Sequence, residues 1–310
     1  MYKKITWPNN KKFAFTIFDD TDRSNLEDSK IIYQYLEELG FKSTRSVWML
    51  KGDDNSEEKG ITCENNSYLN WLLEIKNKGF EIGFHNATSS SSKRQNTKEA
   101  LDKFIKIFGH MPIAMANHSE NKENIYWGPH RLSDSRKIIY NILTLFKKYK
   151  YYEGQKETSS YFWGDFCKEY ISYVRNFVFL DINTLKCCPY MPYKDLTKPY
   201  VNRWFASSEG NNVKMFNKCI SDENQDRLEV EGGACIMYTH FADGFCINGR
   251  ISEEFKTQMK RLSNKNGWFV PVSVLLEFLK EQNKEHIISF KQRSKLEWKW
   301  LFDKLVTGST

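Results

Sequence analysis

The sequence predicts an α/β protein of single-domain size whose parallel strands close into a barrel of about seven. Three observations carry that expectation. Helical and strand patterns alternate through the first half, as parallel strands joined by right-handed crossovers require. A glycine follows each of three amphipathic segments, where it supplies the left-handed turn into the next strand. About seven strand candidates fall within 310 residues, a length suited to one barrel, and no linker divides them.

The elements follow in order. Phe13, Phe15, Ile17 and Phe18, with β-branched Thr16 among them, form a short apolar run that reads as a buried strand. A helix over Ser29 to Leu39 carries Ile31, Ile32, Tyr35, Leu36 and Leu39; Gly40 stops it before a strand at Thr44 to Leu50. A helix over Ser67 to Lys78 ends at Gly79, and Phe80 to Phe84 is the next strand. Thr97 to Phe108 places Leu101, Phe104, Ile105 and Phe108 at i, i+3, i+4 and i+7; Gly109 precedes a strand at Ile113 to Ala116. The second half is less regular. Helical pattern covers Ser133 to Tyr149, strands are expected at Tyr173 to Leu180, Val201 to Ala206 and Ala234 to Tyr238, and a helix follows Pro271. Residues 1–285 are expected to form the barrel, with 286–310 a helical tail packing its Trp and Leu face on it.

Composition narrows the class. Apolar residues make up 40% and charged residues 27%, ordinary for a soluble globular protein. The net charge of +7 is spread along the chain and reads as a solvated surface rather than a nucleic-acid footprint. Seven cysteines form no C-x-x-C pair and read as reduced thiols, which points to the cytoplasm. There is no apolar leader core at the start and no run of membrane-spanning length. Aromatic residues reach 15%, enough to fill a core or line a sugar cleft.

Barrel enzymes do their chemistry at the carboxyl ends of strands. Here those ends are polar. The first offers Asp19, Asp20 and Asp22; the third His85 and Asn86; the fourth Asn117, His118 and Ser119. Later ends offer Asp181 and Asn183, then Ser207, Ser208 and Glu209, then Thr239, His240 and Asp243. Clustered carboxylates repel one another and resist burial, and a cation relieves both costs. One carboxylate with two or three imidazoles is a common shell for Zn²⁺ or a neighbouring divalent ion. His110, His130 and His286 fall in loop or tail sequence and read as surface residues.

In the same order the chain resembles a family. Phe15-Thr16-Ile17-Phe18-Asp19-Asp20 is similar to the T-F-D-D segment of polysaccharide deacetylases of the NodB-homology type. Gly79 to His85 resembles the segment bearing their first metal histidine, Ile236 to His240 their late strand ending in histidine, and Gly267 to Val272 the close of their domain. The resemblance spans Phe13 to Leu279 and is nearest a divergent, WbmS-like branch tied to surface-polysaccharide (O-antigen or capsule) synthesis. It implies a distorted (β/α)7 TIM-like barrel and N-deacetylation of an acetamido sugar or sugar nucleotide. It implies Asp19 as the general base, His240 as the general acid, and Asp20 and His85 as ligands to a divalent metal, zinc first, with Fe, Co, Ni or Mn as alternatives. The family's second metal histidine falls on Ser89, a poor neutral ligand for zinc, so His118 is the candidate third ligand.

Tyr126, Trp127 and Trp163 are candidates to stack on a sugar. Asn86, Asn117, Arg175, Asn183, Ser207 and Ser208 are candidates to bind its hydroxyl, carboxylate or phosphate groups. Neither nucleic acid nor a membrane span is expected; the partner is a small-molecule or oligosaccharide substrate. Two other readings compete: an inactive barrel that binds a glycan or a partner enzyme, and a phosphatase of the haloacid-dehalogenase type with an aspartate nucleophile on a Rossmann-like sheet.

Overall fold

The computed structural model describes residues 5–53, 59–146 and 151–307. Its elements run β1 (Phe13–Asp19), α1 (Leu26–Glu38), β2 (Thr44–Val47), α2 (Asn66–Asn77), β3 (Glu81–Phe84), α3 (Arg94–Phe108), β4 (Ala114–Met115), α4 (Asp134–Leu143), α5 (Gly164–Tyr170), β5 (Tyr173–Phe179), α6 (Thr184–Cys187) and β6 (Tyr193–Lys194). They continue β7 (Arg203–Glu209), α7 (Val213–Cys219), α8 (Asp222–Glu231), β8 (Ala234–Thr239), β9 (Cys246–Ile247), β10 (Arg250–Ile251), α9 (Glu253–Ser263), β11 (Gly267–Phe269), α10 (Val272–Asn283), β12 (His286–Ile287) and α11 (Phe290–Thr307). The expected helical pattern over 133–149 is a helix only to Leu143, and its end at 147–149 lies outside the described residues.

Strands β1, β2, β3, β4, β5, β7 and β8 pair in that order, all parallel, and β8 returns to β1. The result is a closed seven-stranded parallel barrel, as the sequence predicts, and not the open sheet a haloacid-dehalogenase-type phosphatase needs. The barrel is distorted at its amino-terminal end. There β11 inserts beside the first half of β1, and β6 runs antiparallel to β7.

Register sets which chain ends share a rim. Asp19 pairs with Thr239, Val47 with Phe84, and Phe84 with Met115. The residues just beyond β1, β3, β4 and β8 therefore surface together. Strand alternation then sorts their side chains. Phe18 packs on Phe205 inside the barrel, so Asp20 faces inward as well, whereas Asp19 faces α1.

Both faces of the barrel wall are buried under rings, such as Phe18 and Phe205 inside and Phe13, Phe15 and Trp204 on the other face. Gly109, in the left-handed region at φ 77°, ends α3 as its position predicts. The tail helix α11 buries Leu296, Trp300 and Leu301 while Trp298 stays about half exposed. Its buried Glu297 accepts from Arg136 Nε of α4 at 2.5 Å. All seven cysteines are buried and unpaired. Among the described residues, no helix is long and apolar enough to cross a membrane.

Candidate active site

A polar cavity of about 170 Å³ opens at the carboxyl rim, lined by Asp20, Asp22, Arg23, His85, Asn117, His118, Ser119, Trp127, Arg131, Arg175, Val178, Asn211, Tyr238 and His240. Two roomier surface cavities lie along α3 and beside α7, without any histidine in their walls.

Asp22 is the hub. Its Oδ1 lies 2.7 Å from His118 Nε2, and its Oδ2 lies 3.1 Å from both His85 Nε2 and His240 Nε2. Each imidazole is oriented from behind. His85 Nδ1 is 3.1 Å from the Ala116 carbonyl, His118 Nδ1 is 3.0 Å from Asn121 Oδ1, and His240 Nδ1 is 3.0 Å from the Asn211 carbonyl. An acceptor at Nδ1 assigns the proton there, so three Nε2 lone pairs point at one carboxylate. Acceptors facing acceptors require positive charge between them, supplied by added protons or by a metal cation. Oriented imidazoles of this kind are how proteins present nitrogen ligands.

Asp20, Asp22 and His85 place one ligand atom each within 4.8 Å of one another and could together hold a metal ion. The nitrogen and oxygen donors suit zinc or a neighbouring divalent ion. Burial pushes the Asp22 carboxyl up, but the charges of His85 and His118 and bonds from His118 and His240 outweigh it and hold it well below the usual range. Burial pulls His240 down, while the Asp22 carboxylate, then Asp243 and Asp20, raise it to about 10. These carboxylates favour the charged form of the His240 imidazole.

Asp20 is gripped by Arg175, whose two terminal nitrogens lie 3.1 and 2.5 Å from its oxygens. That fork fixes the carboxylate plane at the cavity wall. Asp19 does not reach the cavity. It is fully buried, paired with Arg45, and accepts from the Tyr33 hydroxyl at 3.1 Å and the Phe241 N–H at 3.0 Å. Burial pushes its pKa up against the pull of Arg45, Phe241 and Tyr33.

Of the other residues singled out in the sequence, His85, His118, His240, Asn117, Trp127 and Arg175 meet at the cavity. Asn86 stands behind it: its Oδ1 accepts from the His118 N–H at 2.9 Å. Tyr126 packs on Trp204, and Trp163 is buried with its indole N–H donated to the Glu123 carbonyl. Asn183 caps α6, and Ser208 donates to the Asp181 carbonyl. Ser207 and Ser208 miss the rim because β7 runs to Glu209, three residues beyond its expected end. Ser89 is not in the cavity wall, where His118 faces Asp22 instead. His110, His130 and His286 are each partly exposed and lie outside the cavity. The polar residues that sequence reasoning missed are Asp22 as hub, Arg23, Arg131, Asn211 and Tyr238. Only Asp22 had a usable cue, since it stands among the carboxylates just beyond the first strand.

Glu123 is a fully buried carboxylate behind the histidines. It accepts from Asn86 Nδ2, Asn121 Nδ2 and the Ser92 N–H. Burial, opposed by these bonds, raises it to about 7. A carboxyl raised in the fold contributes stability at low pH that is lost as pH rises through its folded pKa. Relative to Glu123→Gln, the wild type is therefore expected to lose up to roughly 3 kcal/mol between pH 4.5 and pH 8. Thermal melts of both proteins across that range check it; a difference in Tm that does not move with pH contradicts it.

Neither a family model nor a curated protein matches the sequence. Solved structures do match by shape. A protein described provisionally as a polysaccharide deacetylase, from Mycobacterium smegmatis, superposes with a TM-score of 0.51 at 11% identity, over 92% of this chain and 96% of that one. The chain has the fold of that protein. An O-antigen biosynthesis protein from Bordetella bronchiseptica, given the same provisional description, covers 96% of each chain at 11% identity and a TM-score of 0.41. A peptidoglycan deacetylase from Bacillus subtilis covers 94% of this chain and 98% of its own at 14% identity and a TM-score of 0.39.

Proposed function

We propose that the protein is a metal-dependent amide hydrolase that removes the acyl group from an N-acyl sugar. The observation that carries this reading is the convergence of three oriented imidazole Nε2 atoms on the Asp22 carboxylate, beside a second carboxylate held by arginine. In this reading Asp22, His85 and His118 hold the ion, with zinc favoured by the donor set. When bound, the metal supplies Lewis-acid polarisation of the acyl carbonyl and a more acidic water.

The chain's own residues do the rest. Asp20 takes the proton from the attacking water, its orientation fixed by Arg175. His240, oriented from behind by the Asn211 carbonyl with Asp243 nearby, donates to the departing nitrogen. Asn117 and Tyr238 line the cavity beside them and bind sugar hydroxyls. Relative to the resemblance, the base moves from Asp19 to Asp20 and the ligand from Asp20 to Asp22, because Asp19 is turned out of the barrel. A volume of about 170 Å³ is below the range of drug-sized pockets, so it admits a single ring or the end of a glycan. The unpaired thiols fit a reducing compartment, and we place the reaction in the cytoplasmic steps of surface-glycan synthesis.

The test is metal analysis of the purified protein and acetate release from acetamido sugars and their nucleotide forms. About one equivalent of divalent metal is expected, and His85→Ala and His118→Ala should each lose most of it. Full metal retention in both variants contradicts the site. Metal without acetate release from any such sugar, but with sugar binding, supports an inactive binding barrel.

A further inference from the structure

Three arginines line the cavity, and they differ in what neutralises them. Arg23 makes a fork to Asp243, at 2.9 and 2.6 Å. Arg175 makes a fork to Asp20. Arg131 pairs with no carboxylate among the described residues. It is only 2% exposed, and its Nε has no hydrogen-bond partner. Its guanidinium lies 3.3 Å over the Trp127 ring and 5.2 Å from that of Trp300.

An isolated buried cation is costly, and proteins retain one where something anionic arrives. The indole of Trp127 covers one face of the guanidinium and fixes its plane. A planar fork of N–H donors held in this way is the arrangement that recognises carboxylate and phosphoryl groups. Both carboxylates of the cavity wall are already engaged, Asp20 by Arg175 and Asp22 by the histidines, so neither is free to pair with Arg131.

We propose that Arg131 binds an oxyanion carried by the substrate, a carboxylate or a phosphoryl group, and so makes the site selective for an anionic N-acyl sugar. This rests on the hydrolase reading above and narrows its substrate class. The small cavity requires the anionic group to be attached directly to the ring that enters.

The experiment is calorimetric titration of the full-length protein in the presence of a chelator, which prevents turnover and keeps phosphate from binding a metal. The probes are N-acetylglucosamine, its 6-carboxylate (N-acetylglucosaminuronic acid) and its 1-phosphate. At least one anionic sugar is expected to bind tenfold or more tightly than the neutral one. Arg131→Met should abolish that preference and leave the neutral affinity within about twofold. If Arg131→Met does not fold, Arg131→Lys replaces it; it keeps the charge, loses the fork and should weaken the favoured anion several-fold. Preference for the 6-carboxylate identifies a uronic acid, and preference for the 1-phosphate a sugar phosphate or nucleotide. No anion preference, no binding of either anion, or a preference that survives both substitutions overturns the proposal. Acetate release from the neutral sugar without anion preference overturns this inference and leaves the hydrolase standing. Anion binding through Arg131 without acetate release from the metal-loaded protein does the reverse.

Discussion

Asp22→Asn is expected to strip the protein of its metal and to reduce acetate release by about three decades or more. The size follows from what a bound metal contributes to such a reaction, several kcal/mol of transition-state stabilisation at about 1.4 kcal/mol per decade. The choice of residue follows from geometry. Asp22 is the group within 3.1 Å of the Nε2 atoms of His85, His118 and His240. Asparagine has the same shape, so the loop keeps its course, but an amide presents at most one neutral oxygen where a charged carboxylate offered two. Metal content by mass spectrometry separates this from simple unfolding, since a folded Asp22→Asn protein with full metal and full activity would contradict a ligand role for Asp22. Asp19→Asn is expected to differ in kind. It acts first on stability, because its carboxylate belongs to the packing between β1, β2 and α1.

That packing is the source of the second large effect. Arg45→Met is expected to destabilise the fold by about 3–5 kcal/mol, the usual cost of removing one partner of a buried ion pair. Arg45 is wholly buried and ties β2 to β1, to the β1–α1 loop and to α2. Besides Asp19 at the end of β1, it donates to Ser24 Oγ at 2.7 Å, to Thr21 Oγ1 at 3.2 Å and to the Tyr68 hydroxyl of α2 at 3.2 Å. Without it Asp19 retains the Tyr33 hydroxyl and the Phe241 N–H, too little to support a buried charge, and its pKa rises further. A raised carboxyl contributes stability at low pH that is lost as pH rises through the folded pKa, so the variant should be less impaired at pH 5 than at pH 8. Thermal unfolding should show a Tm lower by roughly 10 °C at neutral pH. Arg45→Met combined with Asp19→Leu should recover much of the loss, since an apolar pair of similar volume removes the orphaned charge. A fall of less than about 1 kcal/mol in Arg45→Met contradicts this account.

The legibility of the site follows strand by strand. Where a strand ended in a polar residue directly after an apolar run, as at Phe84-His85 and Tyr238-Thr239-His240, the side chain that reaches the cavity was readable from the chain. Where the strand continued through polar residues it was not. Ser207 and Ser208 look like a strand end, yet β7 runs on through them to Glu209, because Ser208 finds Thr184 Oγ1 and the Asp181 carbonyl inside the wall. Arg131 ends a single 3-10 turn, Gly128–Arg131, too short to show a periodicity, and it enters the site only because that turn crosses the rim.

The alternation of apolar runs, amphipathic helices and stop glycines was sufficient by itself to specify parallel strands, a barrel of about seven and a rim with aspartates and histidines, since those signals are local and repeat every few residues. Which aspartate does what was decided only in three dimensions. Asp19, Asp20 and Asp22 are chemically identical in sequence, and pleat parity, the reach of Arg45 and Arg175 from other strands, and the orientation of three distant imidazoles make them different groups. Those partners come from residues up to 222 positions away, as Phe241 does for Asp19, and no local pattern encodes such a contact.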